Sequence, residues 1–188
     1  MNRREFLIAA AAGSLACTIA RAEEPILTED GIYKQPWFLE SFLDLAEDLE
    51  GAGKDGKRFA IMWELRGCPY CKETHLVNFA QPRISGYVRE NFEILQLNII
   101  GSRKVIDFDG HELSEKELAL KYGVRYTPTL QFFPEQVAGL KQQPPAKREV
   151  ARAPGYMRPD DFLAMFRYVR GKAYEGKSFR DFLKSQPS

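Results

Sequence analysis

Residues 59–71, with the sequence FAIMWELRGCPYC, join an apolar run to two cysteines that are separated by two residues. The first five residues of this stretch are apolar at every position, which is typical of a strand that is buried on both faces of a sheet. The residues that follow the second cysteine have a helical pattern as far as Phe79. The sequence therefore predicts that Cys68 and Cys71 lie where a central strand passes into a helix.

The two cysteines are predicted to form a redox-active disulfide. A cysteine at the first turn of a helix lies beside unpaired backbone N–H groups and the positive end of the helix dipole, and both favour a thiolate over a thiol. We therefore expect Cys68 to be the attacking nucleophile and Cys71, one turn later, to resolve the mixed disulfide. Pro69 suits the first helical position, where no N–H donor is needed.

Other roles for the cysteine pair are less well supported. Two thiolates supply half of a tetrahedral zinc site, and the chain has no second cysteine pair. His75 stands one helical turn beyond Cys71 as a candidate third ligand, although a histidine that is satisfied within the fold or faces solvent is the simpler interpretation. Covalent haem attachment requires a histidine directly after the second cysteine, where this chain has Lys72. A structural disulfide stays open, and no metal or cofactor is expected.

The composition indicates one soluble domain. The chain has 188 residues, 44% of them hydrophobic, and its 27 basic and 26 acidic side chains give a net charge of +1. Nucleic-acid binding depends on clustered lysine and arginine, so we do not expect this balanced chain to bind nucleic acid. Three cysteines are also too few for a disulfide-stapled miniprotein.

Residues 1–22 are predicted to be an export signal that is cleaved after Ala22. They begin with Arg3-Arg4, continue through a weakly apolar run, and end in the small-x-small pattern that signal peptidase recognises. The paired arginine favours the twin-arginine pathway. The run is too short for a permanent membrane anchor. A lipobox carries a large aliphatic residue three positions before its cysteine, but Ser14 stands three positions before Cys17. We therefore expect the mature protein in the periplasm.

The mature chain is predicted to be one α/β domain, residues 36–188, preceded by an N-terminal arm, residues 23–35. Apolar residues spaced three and four apart predict a first helix from Pro36 to about Gly51. An insertion near residues 101–113 contains a turn pair that predicts a short hairpin. The other predicted elements are strands at 92–100, 129–133 and 149–153, and helices at 72–79, 82–91, 114–121, 160–173 and 179–183. This order predicts a central mixed β-sheet flanked by helices on both faces.

A second signature, Tyr126-Thr127-Pro128-Thr129, stands directly ahead of an apolar strand downstream of the cysteines. Together with the cysteine motif, it resembles the thioredoxin superfamily over nearly all of the mature chain. The resemblance implies a thioredoxin-like fold in which the bond between Thr127 and Pro128 is cis and faces the active-site disulfide. It also implies that the backbone of Thr127 pairs with a bound peptide. We expect Pro69 and Tyr70 to contact the substrate as well, because both adjoin the reactive sulfur.

Several short segments have a closer resemblance, to the periplasmic thioredoxins of sulfur-oxidation operons, the SoxW type. That resemblance implies a periplasmic protein-disulfide reductase that keeps the sulfur-carrying thiol of a thiosulfate-oxidation protein active. It also implies a membrane thiol transporter of the DsbD or CcdA type as the electron donor. The segments are residues 67–72, 112–114, 121–124, 127–129 and 155–156.

The chain departs from the thioredoxin pattern directly ahead of the cysteines. Gly67 stands where thioredoxins usually carry a tryptophan, and Met62 stands where they carry a buried aspartate. The usual proton relay for Cys71 is therefore missing. Glu64 shares a strand face with Met62, so we expect it to act as the relay if it lies under the disulfide. The alternative is a strand-end carboxylate in water.

Two other functions stay open at the level of sequence. An oxidase or isomerase would run the same exchange in the opposite direction, and that direction depends on how strongly the fold stabilises the Cys68 thiolate. The non-enzymatic alternative is a metal-binding or copper-delivery module on the same fold. Copper carriers of this kind need a wider cysteine spacing and a distant histidine, and His111 is the one histidine outside the active-site helix.

Overall fold

The computed structural model describes residues 23–186 and has a four-stranded sheet at its centre. The strands are β1 (Ile26–Leu27), β2 (Tyr33–Lys34), β3 (Arg58–Glu64), β4 (Phe92–Asn98), β5 (Lys104–Ile106), β6 (Glu112–Ser114), β7 (Thr129–Phe132) and β8 (Ala151–Pro154). The helices are α1 (Leu45–Lys54), α2 (Pro69–Glu73), α3 (Pro82–Asn91), α4 (Glu115–Lys121), α5 (Pro159–Arg170) and α6 (Phe179–Lys184). The central sheet has the order β4-β3-β7-β8, with β3 and β4 parallel and the other neighbours antiparallel.

Strand β3 is the middle of the core because all seven of its residues are buried. Ala60 and Met62 face a core that includes residues of α3 and α5. Phe59, Ile61 and Trp63 face a second core, which includes residues of α1 and α4. Alternate residues of a strand point to opposite faces, so one apolar run supplies both cores. The predicted α/β architecture, a mixed sheet with helices on both faces, is confirmed.

The first helix begins later than predicted. It starts at Leu45, where the Asp44 carboxylate caps it by accepting hydrogen bonds from two backbone N–H groups of the first turn. The predicted start at Pro36 is wrong because the preceding apolar residues pack without helical structure: Phe38 is buried in a loop that hydrogen-bonds to β4. Phe42, an apolar residue within the range predicted for this helix, is fully exposed.

The N-terminal arm is more structured than the sequence predicted. Strands β1 and β2 pair as an antiparallel hairpin within residues 23–35. The Arg66 side chain, two residues ahead of Cys68, donates a hydrogen bond to the backbone oxygen of Asp30. The arm is therefore attached to the turn that carries the cysteines.

The remaining elements agree closely with the predictions. Strands β5 and β6 form the predicted hairpin, and the Ser114 and Glu117 capping box opens α4. Strand β8, near the predicted strand at 149–153, is an edge strand of the sheet. Residues 72–79 differ: α2 ends at Glu73, and Thr74–Asn78 form a π-helical turn in place of the predicted α-helix. The predicted export signal, residues 1–22, lies outside the described residues.

Between residues 23 and 186, no helix is long and apolar enough to cross a membrane.

A buried network of charges attaches the β5–β6 hairpin to the rest of the fold. Arg148 contacts the Asp107 carboxylate at 2.8 Å and the Asp109 carboxylate at 3.0 Å, and Lys121 contacts both carboxylates at 2.6 Å. Tyr122 donates a hydrogen bond to Asp107. Burial raises the pKa of Asp109, but the hydrogen bonds from Lys121 and Arg148 outweigh it and hold that pKa below its usual range. The positive charges of Lys121 and Arg148 thus compensate the negative charges of Asp107 and Asp109, and the contacts join three separate segments of the chain.

Asp48→Asn is expected to stabilise the protein by about 1 kcal/mol at pH 7.5, after a discount for solvent screening. Burial, more than the charges of Asp44 and Glu47, raises the pKa of Asp48 from 3.8 to about 6, although the hydrogen bond from Ser41 opposes the shift. The stabilising contribution of the protonated carboxyl is complete below pH 3.8 and is lost as the pH rises through about 6.

This prediction is checked by thermal unfolding between pH 4 and pH 8. The gain in the variant should be largest above pH 6 and should vanish near pH 4, because the asparagine cannot ionise. Glu47→Gln, an exposed position in the same turn of α1, is the control and should show no such pH-dependent gain. A gain for Asp48→Asn that is equal at every pH would contradict the explanation.

Candidate active site

Cys68 and Cys71 form a disulfide at the start of α2, with 5.3 Å between their Cα atoms. Cys68 is the N-cap of this helix and Pro69 its first residue, as predicted. The backbone N–H of Cys71 donates a hydrogen bond to the Cys68 sulfur at 3.1 Å. A hydrogen bond of this kind is stronger to a thiolate than to a neutral sulfur. The local backbone therefore favours negative charge on Cys68.

The two cysteines differ in their exposure to solvent. Cys71 is 3% exposed, whereas Cys68 is only partly buried. A partner protein can therefore reach Cys68 first. This asymmetry fits the predicted division of labour, in which Cys68 attacks and Cys71 resolves from inside the fold.

The Thr127–Pro128 segment faces the cysteines. The peptide bond between these residues is cis, as the resemblance implied, and the backbone oxygen of Thr127 lies 3.5 Å from the Cys68 sulfur. Pro128 is buried, and its carbonyl accepts a hydrogen bond from Gly155 at 2.7 Å. The N–H of Thr127 has no hydrogen-bond partner within residues 23–186. An extended peptide bound beside Cys68 can therefore pair with the backbone of Thr127.

Tyrosines border this part of the surface. Tyr70 is 55% exposed, and its ring stacks on that of Tyr156 with 5.9 Å between centroids. Tyr126, directly before Thr127, is also exposed. Burial, together with the nearby charge of Glu73, raises the pKa of Tyr156. Sequence reasoning did not assign Tyr156 to the site, because only the packing of β8 beside β7 brings it to Tyr70.

Tyr156→Ala is expected to raise KM for a protein disulfide by about three- to tenfold, with little change in kcat. The stacked pair offers a rigid aromatic surface beside Cys68, and such surfaces contribute about 1 kcal/mol to protein contacts. The measurement is steady-state reduction of insulin. As the control, the rate with a small aromatic disulfide should change less than twofold, and an equal loss on both substrates would contradict a role in binding proteins.

Glu64 lies inside the protein and is bonded to His75. Both side chains have zero exposure, and the Nε2 atom of His75 lies 3.0 and 3.1 Å from the two carboxylate oxygens. Gln96 donates a further hydrogen bond to the Glu64 carboxylate. The alternative of a strand-end carboxylate in water is therefore wrong, because β3 continues into the core as far as Glu64. His75 is satisfied within the fold, and the solvent-facing alternative for it is wrong.

A cleft of about 370 Å³ opens beside the disulfide, on the side of the N-terminal arm. Lys72 stands over the ring of Tyr33, with its Nζ atom 5.9 Å from the ring centroid. The sequence did not predict this cleft, because the arm has no periodicity that would place it here. The cleft is lined by Gly31, Ile32, Tyr33, Leu65, Gly67, Cys68, Pro69, Cys71 and Lys72.

The positions considered for metal binding do not converge in the described part of the chain. Within residues 23–186, no three histidine, cysteine, aspartate or glutamate side chains are grouped so that they could hold a metal ion. Both ring nitrogens of His75 are engaged by neighbouring side chains. His111 is exposed on the β5–β6 hairpin and contacts Asp109.

Comparison with known proteins places this geometry in a family context. The family model for a thioredoxin-like domain matches residues 45–170. The chain is similar to the solved structure of a thioredoxin-fold protein from Helicobacter pylori, with a TM-score of 0.53, 22% identity, and coverage of 74% of this chain and 88% of that one. It is similar to a thioredoxin from Thermus thermophilus, with a TM-score of 0.50, 25% identity, and coverage of 67% and 83%. No curated protein matches the sequence.

Proposed function

The chain belongs to the thioredoxin-like family, and from this premise we propose that it is a thiol–disulfide oxidoreductase that works through Cys68 and Cys71. The observation that carries the proposal is the position of the Cys68 sulfur. It is bonded to Cys71 and partly exposed, and it lies 3.5 Å from the backbone of Thr127 beside the cis bond. A sulfur in this position can exchange with a disulfide of a peptide that is held along Thr127.

The reaction proposed for the reduced protein has two exchanges. The Cys68 thiolate attacks one sulfur of the partner disulfide, a bond forms between them, and the other partner sulfur leaves as a thiolate. Cys71 then loses its proton and attacks Cys68, so the bond between Cys68 and the partner breaks. The partner disulfide gains two electrons and becomes a dithiol, and the Cys68–Cys71 dithiol loses two electrons and becomes a disulfide.

Three groups of residues support these exchanges. Thr127 and Pro128 are proposed to hold the backbone of the partner, and Pro69 and Tyr70 to contact its side chains. Glu64 is proposed as the proton relay for Cys71, because it is a buried carboxylate on the strand that leads into the motif.

We propose that the protein acts in the periplasm and in the reducing direction. The paired arginine and the small-x-small pattern in residues 1–22 support export. An exported dithiol stays oxidised unless a donor reduces it, so the proposal includes a membrane thiol transporter of the DsbD or CcdA type. The short segments shared with SoxW-type thioredoxins support a sulfur-carrier protein of thiosulfate oxidation as the substrate.

The partner is tested with Cys71→Ser expressed with its export signal. This variant retains the attacking sulfur and lacks the resolving one, so a partner stays covalently bound to Cys68. Reductive release and mass spectrometry should identify a sulfur-carrier protein. The double variant that also carries Cys68→Ser is the control and should trap nothing. Capture of many unrelated secreted proteins would argue for a general reductase or oxidase.

The direction is tested by the reduction potential of the Cys68–Cys71 couple. A reductase is expected nearer to the value of thioredoxin, about −270 mV, or of glutaredoxins, about −200 to −230 mV. The potential is measured by equilibration with glutathione or dithiothreitol mixtures. A value near about −120 mV would assign the protein to the oxidases instead.

A further inference from the structure

We infer that His75 and Gln35 are positioning residues for the resolving step, because with Glu64 they form a buried unit that can take up the proton of Cys71. This inference deepens the proposed dithiol function and rests on it. It adds two residues to the site: a histidine on the π-helical turn and a glutamine on the N-terminal arm. The arm thereby becomes part of the active centre.

The unit is fully enclosed and continuous. The exposure of Gln35 is 1%, and that of Glu64 and His75 is zero. The Nδ1 atom of His75 lies 3.2 Å from Nε2 of Gln35, and its Nε2 atom lies 3.0 Å from the Glu64 carboxylate. Gln96 bridges the same carboxylate to the backbone oxygen of Tyr33. Polar groups that are buried without exchange with solvent are costly unless every one of them is bonded.

The hydrogen bonds define where the protons are in the oxidised protein. The amide nitrogen of Gln35 also points at the backbone oxygen of His75, at 3.4 Å, which orients the amide with its nitrogen toward the ring. With the amide in this orientation, Nδ1 of His75 accepts from Gln35 and the ring N–H is assigned to Nε2, directed at Glu64. Glu64 accepts from both His75 and Gln96.

One atom of the unit lacks a bond, and it shows where another proton fits. The amide oxygen of Gln35 is buried and has no hydrogen-bond partner within residues 23–186. If Nδ1 of His75 takes up a proton, half a turn of the Gln35 amide brings that oxygen to the new N–H. The protonated unit then contains an imidazolium bonded to Glu64 on one side and to Gln35 on the other. In this protonated unit the amide oxygen of Gln35, which has no partner in the unprotonated unit, accepts the new hydrogen bond.

Cys71 is the redox group nearest to this unit along the helix. His75 follows Cys71 by four residues, and both residues are buried. On an α-helix, residues four apart are neighbours with Cβ atoms about 5–6 Å apart; here Cys71 lies in α2, and His75 lies in the π-helical turn that directly continues it. The helix widens into a π-turn at Thr74–Asn78, an uncommon geometry that is frequent at functional sites.

Few other ionisable groups face the unit. The ring of Tyr33 lies 6.5 Å from that of His75, between centroids. Lys72 stands over the outer part of Tyr33, and Arg103 donates to the backbone oxygen of Gln96. The rings of Phe38 and Phe79 also lie beside His75, at 5.7 and 5.8 Å between centroids. In the proposed step, Glu64 and His75 are therefore the acceptors of the Cys71 proton.

The resolving step conserves protons and electrons. The Cys71 thiol gives its proton to the Glu64–His75 unit, and its sulfur forms a bond with the Cys68 sulfur. The bond between Cys68 and the partner sulfur breaks, and the partner leaves as a thiolate. The stored proton passes to that thiolate, so the unit returns to its starting state. The two electrons move from the dithiol to the partner disulfide, and no further oxidant or reductant takes part.

The test separates the two exchanges in the full-length mature protein. Reduced protein is mixed with excess dithiobis(nitrobenzoate), whose two halves absorb visible light on release. The first release, which depends on reagent concentration, reports attack by Cys68. The second release is independent of concentration and reports resolution by Cys71. Both rates are measured by stopped flow.

His75→Gln is the informative variant, because glutamine can still donate to Glu64 but has no nitrogen that takes up a proton. We expect its second rate to fall about tenfold or more at pH 7, with the first rate within twofold of wild type. Glu64→Gln should lower the same rate by a similar factor. Thr74→Val is the matched control, since Thr74 is also buried on the same turn and its side-chain hydroxyl donates to the backbone oxygen of Tyr70; both of its rates should stay within twofold.

The outcomes distinguish this inference from the proposed function. If the wild type showed no first release, the dithiol function itself would be wrong. If both releases occurred and His75→Gln resolved as fast as wild type, the inference would be wrong while the proposed function stood. A fall in the second rate for Glu64→Gln alone would likewise overturn the inference and would leave Glu64 as the sole relay.

A spectroscopic measurement on the unaltered protein gives an independent check. The 15N shifts of the His75 ring at pH 7 should identify Nε2 as protonated and Nδ1 as unprotonated in the oxidised protein. Signals of a doubly protonated ring in that state would overturn the inference, because the unit would then have no place for the proton of Cys71. This result does not depend on whether any variant folds.

Discussion

Cys68→Ser is expected to lower the rate of protein-disulfide reduction by at least about three orders of magnitude. The oxygen replaces the one sulfur that is both partly exposed and adjacent to Thr127. An alcohol stays protonated at neutral pH, so neither the helix N-terminus nor the Cys71 N–H can convert it into a nucleophile. Serine is also a favoured N-cap, so α2 should keep its start.

The loss is measured with insulin as substrate and with the two-step release from dithiobis(nitrobenzoate). Cys71→Ser is the matched control, because it removes a sulfur of the same disulfide that is 3% exposed. It should retain the first release within about threefold and lose the second, since attack by Cys68 does not require Cys71. The reverse result, with a fast first release in Cys68→Ser and none in Cys71→Ser, would exchange the two roles.

The sequence was most informative where hydrophobic pattern and chain geometry coincide. A strand buried on both faces must be apolar at every position, and β3 is recognisable for that reason. The helix start at Pro69 and the capping box at Ser114 are local patterns, so they could be predicted without tertiary contacts. The cysteine pair and the cis bond before Pro128 then followed from short motifs and a family resemblance.

The errors in the fold have a common cause. Phe38 and Leu45 are both buried, but they belong to a loop and a helix that meet at Asp44. Apolar residues of the loop and of the helix therefore follow one another at steps of three and four, as they would in a single helix. Only the N-cap at Asp44 shows where the helix begins. The N-terminal arm was missed for a related reason, because its two-residue strands are too short to have any period.

The candidate site was predicted at its sulfurs but not at its buried polar groups. Glu64 was selected for its strand face, yet its partner His75 is eleven residues away and Gln35 is forty residues from His75. A glutamine in an arm has no sequence feature that indicates burial against a helix. Such contacts depend on how separate segments pack, so a single sequence does not specify them.

Arg148→Met is expected to destabilise the fold by about 3–5 kcal/mol at pH 7. Arg148 lies between the predicted strands at 129–133 and 149–153, yet its side chain is 3% exposed. Methionine keeps the length and removes the charge, so the Asp107 carboxylate, itself at zero exposure, loses one of its two cations. A buried charge left with incomplete compensation is among the largest single penalties in a fold.

The measurement is urea unfolding of the oxidised protein at several pH values. The pKa of Asp109 is lower in the folded protein than its unfolded value of 3.8, so the ionised carboxylate stabilises the fold when the pH is above 3.8. This stabilisation is lost as the pH falls from 3.8 toward the pKa of the folded protein. The difference between wild type and Arg148→Met should therefore shrink only in strong acid. Arg89→Met removes an exposed pair with Glu23 and should cost less than about 1 kcal/mol. Equal costs for the two variants would show that the network around Asp107 contributes no more than a surface ion pair, and that another contact secures the β5–β6 hairpin.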